Sequence, residues 1–186
     1  MQRKNGKVIF LNGTSSSGKS TIGKELQKTL KEPYLLISID DYLNCLPDTF
    51  LEDNKLLAKS ITILLDGFNA SCEAIARAGN NVIVDHVLQE PDWVSPCVRA
   101  FRDLKVIFVG VRCPLDVLEA REKARDERQN GMARYQYERV HSHNIYDIEV
   151  DTSKLSVAQC ISVIKKYIKT QKHPTAFKKL DLMQEQ

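Results

Sequence analysis

Residues 13–20 read Gly-Thr-Ser-Ser-Ser-Gly-Lys-Ser. Ahead of them stands a short apolar run, Lys7-Val-Ile-Phe-Leu11, and behind them Ile22, Leu26 and Leu30 recur every four residues. An unbroken run of β-branched and aromatic residues suits a buried strand, and a spacing of four suits one face of a helix. Strand, glycine-bounded loop and helix in that order match the G-x-x-x-x-G-K-[ST] pattern of a phosphate-binding loop. The residue types explain the chemistry. Gly13 and Gly18 let the backbone curl so that successive N–H groups face an enclosed anion. The following helix adds the positive end of its dipole. Lys19 supplies a mobile cation for the β- and γ-phosphates, and the Ser20 hydroxyl a Mg²⁺ ligand. Nucleotide contact is therefore expected from Gly13, Thr14, Ser15, Ser16, Ser17, Gly18, Lys19, Ser20 and Thr21. The alternative, a flexible Ser/Gly linker, does not account for the flanking strand and helix.

The rest of the chain repeats the alternation. Apolar runs at Leu35–Ile39, Val82–Val84, Val106–Val111 and Ile148–Val150 read as further strands. Helical patterns cover 56–78, closed by Gly79, then 91–101, 115–128, 133–143 and 157–168. Apolar strands alternating with helices imply a parallel sheet covered on both faces. The expected fold is a three-layer α/β domain of P-loop NTPase type, close to nucleoside and shikimate kinases, with a five-stranded parallel sheet and a helical lid. It spans residues 1–170, with 171–186 as a polar tail from which Phe177, Leu180 and Leu182 can still dock.

Composition narrows the classes. The 186 residues are 42% hydrophobic and 27% charged with a net charge of +3, an ordinary balance for one globular domain. Basic residues gather at the ends: residues 1–31 carry seven basic side chains and one acidic. No basic run reaches five, so nucleic-acid binding through counterion release is not expected. Five scattered cysteines without a Cys-x-x-Cys pair fit reduced thiols rather than disulfides or a zinc site. No apolar run approaches a membrane span. The expected setting is the cytoplasm, and the oligomeric state is left open.

Acids at strand ends come next, because ligands of open α/β sheets bind beyond the carboxyl ends of the strands. Asp85 closes Val82-Ile-Val and has the form of a second Mg²⁺ ligand. Asp40 is placed to take a proton from an acceptor hydroxyl; capping a following helix is the plainer role open to it and to Asp41. Arg121, Arg125 and Arg128 share a helix face at spacings of four and three. They read either as lid arginines closing over a transferred phosphate or as a solvated face partly neutralised by Glu122. His141 and His143, two apart, do not suit a metal pair. His86 reads equally as a substrate contact or a buried histidine, Cys113 as a packed thiol, and Tyr135, Tyr137 and Tyr146 as pocket lining or core cover.

With these residues assembled, the sequence resembles the chloramphenicol phosphotransferase-like family of P-loop kinases from about Val8 to Ile168. The matching pieces are Ile9–Gly13, Ser16–Ser20, Ile39-Asp40, Ala76–Gly79, Val84-Asp85, Val109-Gly-Val-Arg-Cys113, Glu119–Arg128, Gly131-Met-Ala133 and Tyr146–Thr152. The resemblance implies ATP- and Mg²⁺-dependent phosphorylation of a hydroxyl on a small molecule. By it, Asp40 is the catalytic base, Lys19, Arg125 and Arg128 stabilise the transferred phosphate, Arg121 contacts nucleotide, and Ser20 with Asp85 holds the metal. Two departures fall on the acceptor side: Asp41-Tyr42 stands where a small polar residue is usual, and 48–65 matches poorly. Alternatives are a nucleoside, nucleotide or shikimate-type kinase, or a nucleotide-dependent switch. The switch reading lacks the Asn-Lys-x-Asp base-reading motif, for which Asn54-Lys-Leu-Leu57 is no substitute.

Overall fold

In a computed structural model that describes residues 4–52, 54–124, 131–170 and 173–183, five strands form one parallel sheet in the order β2-β3-β1-β4-β5. They are β1 (Lys7–Asn12), β2 (Tyr34–Ser38), β3 (Asn81–His86), β4 (Lys105–Arg112) and β5 (Ile148–Asp151). Val8 to Leu11 and Val82 to Val84 are fully buried because both faces of the central strands are covered, which is why they read as continuous apolar runs.

Helices α1 (Lys19–Thr29) and α8 (Val157–Thr170) cover one face, where Ile22, Leu26, Ile161 and Ile164 pack on Ile9, Leu11, Ile83 and Val109. The short α2 (Ile39–Leu43) and α3 (Asp48–Glu52) lead into the long α4 (Asn54–Arg77), which covers the other face together with α5 (Val94–Ala100). A single 3₁₀ turn at Pro91–Trp93 precedes α5, where one helix was expected over 91–101. Pro96 falls in the first turn of α5, where its missing N–H removes no helical bond. Gly79, at φ 97, closes α4 as expected.

Three segments depart from the sequence reading. Strand β2 stops at Ser38 and Ile39 opens α2, because the Ser38 hydroxyl accepts the Asp40 N–H (3.2 Å) and caps a helix there. Of the helices expected over 115–128 and 133–143, the described parts are α6 (Leu115–Lys123) and α7 (Met132–Tyr137), with turns from Glu138 to His143. Within the expected polar tail lies α9 (Ala176–Met183). Its Ala176, Phe177 and Leu180 are buried, whereas Leu182 is exposed. Asp147 fixes the start of α9: its carboxylate accepts the Thr175 and Ala176 N–H groups (2.7 and 3.0 Å) and, on the other oxygen, that of Phe108 (2.9 Å). Among the described residues no helix is long and apolar enough to cross a membrane.

Neighbouring strands β1 and β3 send their connections to opposite sides: α1 leads away to β2 on one face, α5 to β4 on the other. A crevice at such a reversal is where ligands of open α/β sheets bind.

Candidate active site

The loop between β1 and α1 stands over that crevice, with residues 14–17 and Lys19 buried. Its curvature depends on both glycines. A Cβ on Gly13 would lie 2.5 Å from the Val111 carbonyl oxygen, so only glycine lets the loop pass so near β4. Gly18 adopts φ 93, the left-handed region open to glycine, just before the first turn of α1. Ser16, at φ 63, takes the same region without that freedom. A loop that stores backbone strain in this way is over-determined by its surroundings, and two residues hold it. The Thr152 hydroxyl donates to the Ser17 carbonyl (2.8 Å), and Arg121 donates to Thr152 through both guanidinium nitrogens (2.9 and 2.9 Å), reaching the Ser16 carbonyl at 3.5 Å.

The buried hydroxyl oxygens of Thr14, Ser16 and Ser17 have no protein partner. Three orphaned hydroxyls lining a curled loop at a helix N-terminus are what an anion cradle leaves when its ligand's oxygens are not counted. The Lys19 ammonium donates to the Thr14 carbonyl at 2.8 Å, within the same loop. Thr21 sits apart from this cluster: it is exposed and faces the groove between α1 and α8 with Glu25 and Ile161.

Beside the loop, the Ser20 hydroxyl donates to the buried Asp85 carboxylate at 2.6 Å. Parallel pairing sets Leu11 opposite Asp85 and Ser38 opposite Asp85 on the other side. Asp40 therefore lies two residues beyond Asp85's partner, half-buried in the first turn of α2. The capping role falls to Ser38 rather than to Asp40. Asp41, next to it, is exposed. A hydroxyl and a carboxylate in contact are hard oxygen donors of the kind Mg²⁺ takes when nucleotide phosphates and water complete its shell; among the described residues no group of three His, Cys, Asp or Glu is arranged to hold a metal ion.

Of the three arginines expected to form a lid, Arg121 is at the loop, while Arg125 and Arg128 lie outside the described residues. Glu122 is buried, and its carboxylate accepts the Gly131 and Ala133 N–H groups (2.9 and 2.9 Å), pinning the start of α7 to the end of α6.

The histidines resolve into supporting roles. Burial and the nearby Lys19 ammonium push His86 down to about 3, and its Nδ1 accepts the Val87 N–H at 2.7 Å, so the neutral ring carries its proton on Nε2. His141 and His143 lie in the turns after α7. His141 bonds the Tyr146 hydroxyl (2.7 Å), and His143 stacks on Phe108. Burial raises the Cys113 thiol, as befits a packed side chain.

Sequence reasoning missed four residues that shape the site. Asn12 donates to the Val140 carbonyl and the Tyr146 hydroxyl (3.0 and 2.8 Å) and accepts the Leu88 N–H (2.8 Å). Gln136 accepts the Ser15 N–H at 2.7 Å. Gln89 bonds Gln136, and Thr152 braces the loop as described above. Thr152 had a usable signal, its place just beyond an apolar strand; isolated amides such as Gln136 carry none.

The model of chloramphenicol phosphotransferase-like proteins matches residues 6–169. The chain belongs to the chloramphenicol phosphotransferase-like family. That membership makes it a phosphotransferase. A Mycobacterium tuberculosis protein named as a candidate O-phosphotransferase is 26% identical over 197 residues, covering 94% of this chain and 88% of its own. In fold the chain is similar to an unliganded sugar kinase from Janibacter sp. (TM-score 0.69, 14% identity, 88% of this chain and 95% of that one). It is also similar to an APS kinase of M. tuberculosis solved with AMPPNP and APS (TM-score 0.68, 15% identity, 89% and 99%).

Proposed function

We propose that this family member transfers the terminal phosphoryl group of ATP to a hydroxyl of a small molecule. The observation that carries the reading is the juxtaposition of the curled loop with its orphaned hydroxyls, the Ser20–Asp85 pair and Asp40 two residues past Asp85's strand partner. The name of the mycobacterial relative and the AMPPNP in the related APS kinase point the same way.

In this scheme the loop amides and Lys19 hold the phosphates, Lys19 offsetting negative charge on the group in flight. Ser20 and Asp85 would hold Mg²⁺, which would supply neutralisation of negative charge on the phosphates. Asp40 accepts the acceptor's hydroxyl proton as its oxygen bonds to phosphorus; the bond from the γ-phosphorus to the bridging oxygen breaks, and ADP departs. Arg121 keeps the loop in shape through Thr152 and contacts the nucleotide, while Arg125 and Arg128 are assigned to the moving phosphate. The acceptor enters from the side of α2 and α4, where Tyr42 and Phe68 stand edge to face at 5.0 Å.

The test is incubation with Mg·ATP and a panel of hydroxylated acceptors, including chloramphenicol, nucleosides and aminoglycosides, read by mass spectrometry for an added phosphate. A phosphorylated acceptor that is absent with Asp40→Asn supports the whole scheme. Acceptor-independent ATP hydrolysis with no phosphorylated product on any acceptor would favour a nucleotide switch instead.

A further inference from the structure

Gln136 is buried on α7, and both ends of its carboxamide are engaged. Its Oε1 accepts the Ser15 N–H at 2.7 Å, and its Nε2 donates to Gln89 Oε1 at 2.9 Å. A backbone N–H only donates, so the orientation of the amide is fixed: oxygen toward the phosphate loop, nitrogen toward Gln89. The chain runs on from Gln89 Nε2 to Glu90 Oε1 at 3.2 Å. Glu90 also receives the Tyr135 hydroxyl (3.0 Å) and the Arg139 guanidinium (2.8 Å), and Arg139 lies over the Tyr135 ring at 4.5 Å. From the loop amide to the carboxylate every bond donates in the same direction, an arrangement in which each bond polarises the next. Burial works against the Glu90 anion, but the bonds from Tyr135 and Gln89 and the charge of Arg139 outweigh it and hold the carboxyl below its ordinary value.

The bridge joins three places: the phosphate loop at Ser15, the segment leading toward β5, and the β3–α5 connection that begins just past Asp85 and His86. We propose that Gln136 is a positioning residue that ties the phosphate loop to the β3–α5 connection, so that nucleotide entry at the loop is felt on the acceptor side. The idea rests on the nucleotide reading above. Gln136 acts through Ser15 and Gln89 and touches neither the transferred group nor the acceptor. When phosphate oxygens draw the loop amides inward, Ser15 moves with them. Gln136 must then follow, or leave its own buried amide oxygen unpaired. Following hands the displacement to Gln89 and Glu90. The bond from the Leu88 N–H to Asn12 Oδ1 roots the same connection at its other end, but Asn12 is the last residue of β1 and is held by the sheet rather than by the loop. A movable link on a rooted segment is a hinge arm.

Trp93 is the chain's one tryptophan; it follows Glu90 by three residues, its N–H donates to the Glu90 carbonyl (3.0 Å), and its ring packs against the core. It reports the arm directly. AMPPNP with Mg²⁺ is titrated into the wild type, Gln136→Met, Gln89→Leu and the double variant, following Trp93 fluorescence and, separately, the heat of binding. In the wild type the emission changes with the calorimetric midpoint. Gln136→Met binds AMPPNP within about fivefold of the wild type, while the emission change shrinks at least about fivefold. The double variant loses no more than either single one, as expected of two links in one chain. An emission change that survives in nucleotide-bound Gln136→Met, or losses that add, overturns the proposal. Heat without any Trp93 response in the wild type sinks the tie alone; no heat at all in the wild type sinks the nucleotide reading and the tie with it. Should Gln136→Met not fold, Gln89→Leu cuts the same bridge at its half-buried end and carries the test.

Discussion

Ser20 and Asp85 stand 65 positions apart in the chain, yet the hydroxyl of one donates to the carboxylate of the other at 2.6 Å. The strand order makes this contact. β1 feeds the loop that carries Ser20, β3 ends near Asp85, and the two strands are paired neighbours. If the pair holds Mg²⁺, Ser20→Ala and Asp85→Asn each weaken Mg·ATP binding by about 10–100-fold, the range for groups that orient or ligate a metal. Binding of ATP in EDTA changes far less. Parallel titrations with and without EDTA check this, and equal losses in both would remove the metal role.

Asp40→Asn keeps the length and shape of the side chain and removes the base. ATP affinity then stays within a few-fold of wild type, while turnover on any acceptor falls by at least about a hundredfold, the range for a general base. The Ser38 cap on α2 remains in place, so loss of the helix does not confound the result. Steady-state kinetics and nucleotide titration on the same preparation decide it; full turnover in the variant would move the base elsewhere.

Phe177 on α9 packs against Phe10, Phe101 and Phe108, with ring centroids 5.5, 6.1 and 5.0 Å away. Phe177→Ala opens a hole between α5 and the centre of the sheet and lowers stability by about 3–5 kcal/mol. Urea unfolding measures this. A change below about 1 kcal/mol would mean that α9 lies on the core without belonging to it.

That helix also marks where sequence reading ran thin. The β1–loop–α1 unit was legible because three independent signals coincide there: an unbroken apolar run, glycines at two forced positions and a helical period. Asp85 followed from the run before it. Asp40 was found but set at a strand end, because Ile39 is as good a strand residue as a helix one; the Ser38 hydroxyl, a local hydrogen bond, decides between them. α9 is short and lies among lysines, and what fixes its start is Asp147 some thirty residues earlier. Gln136, Asn12 and Glu122 act through partners 121, 128 and 11 positions away, and no local pattern carries such a pairing.

Two buried histidines, His86 and His141, and the half-buried His143 give the protein a pH limit. Burial, with the charge of Lys19, lowers His86 to about 3; burial, with Arg112 and His143, lowers His141 to about 3; burial, with Arg112, lowers His143 to about 4. In the unfolded chain each takes up a proton near pH 6.5. Below that pH the unfolded state binds protons that the folded state refuses, so stability is full above about 6.5 and falls as the pH drops toward the folded values. Between pH 6.5 and 5 the loss approaches about 2 kcal/mol per histidine. The lowered carboxyls of Glu32, Glu90 and Asp151 act only below their own ordinary range, so this window belongs to the histidines. Urea midpoints at pH 7.5, 6.5 and 5.0 should decline across it. His143→Phe keeps the stacking on Phe108 and removes one titrating group, whose Nε2 is buried without a partner, and so should flatten the decline by one proton's share. A midpoint that stays level from pH 7.5 to 5 would mean that the folded protein admits these protons and that the rings are less enclosed than their packing indicates.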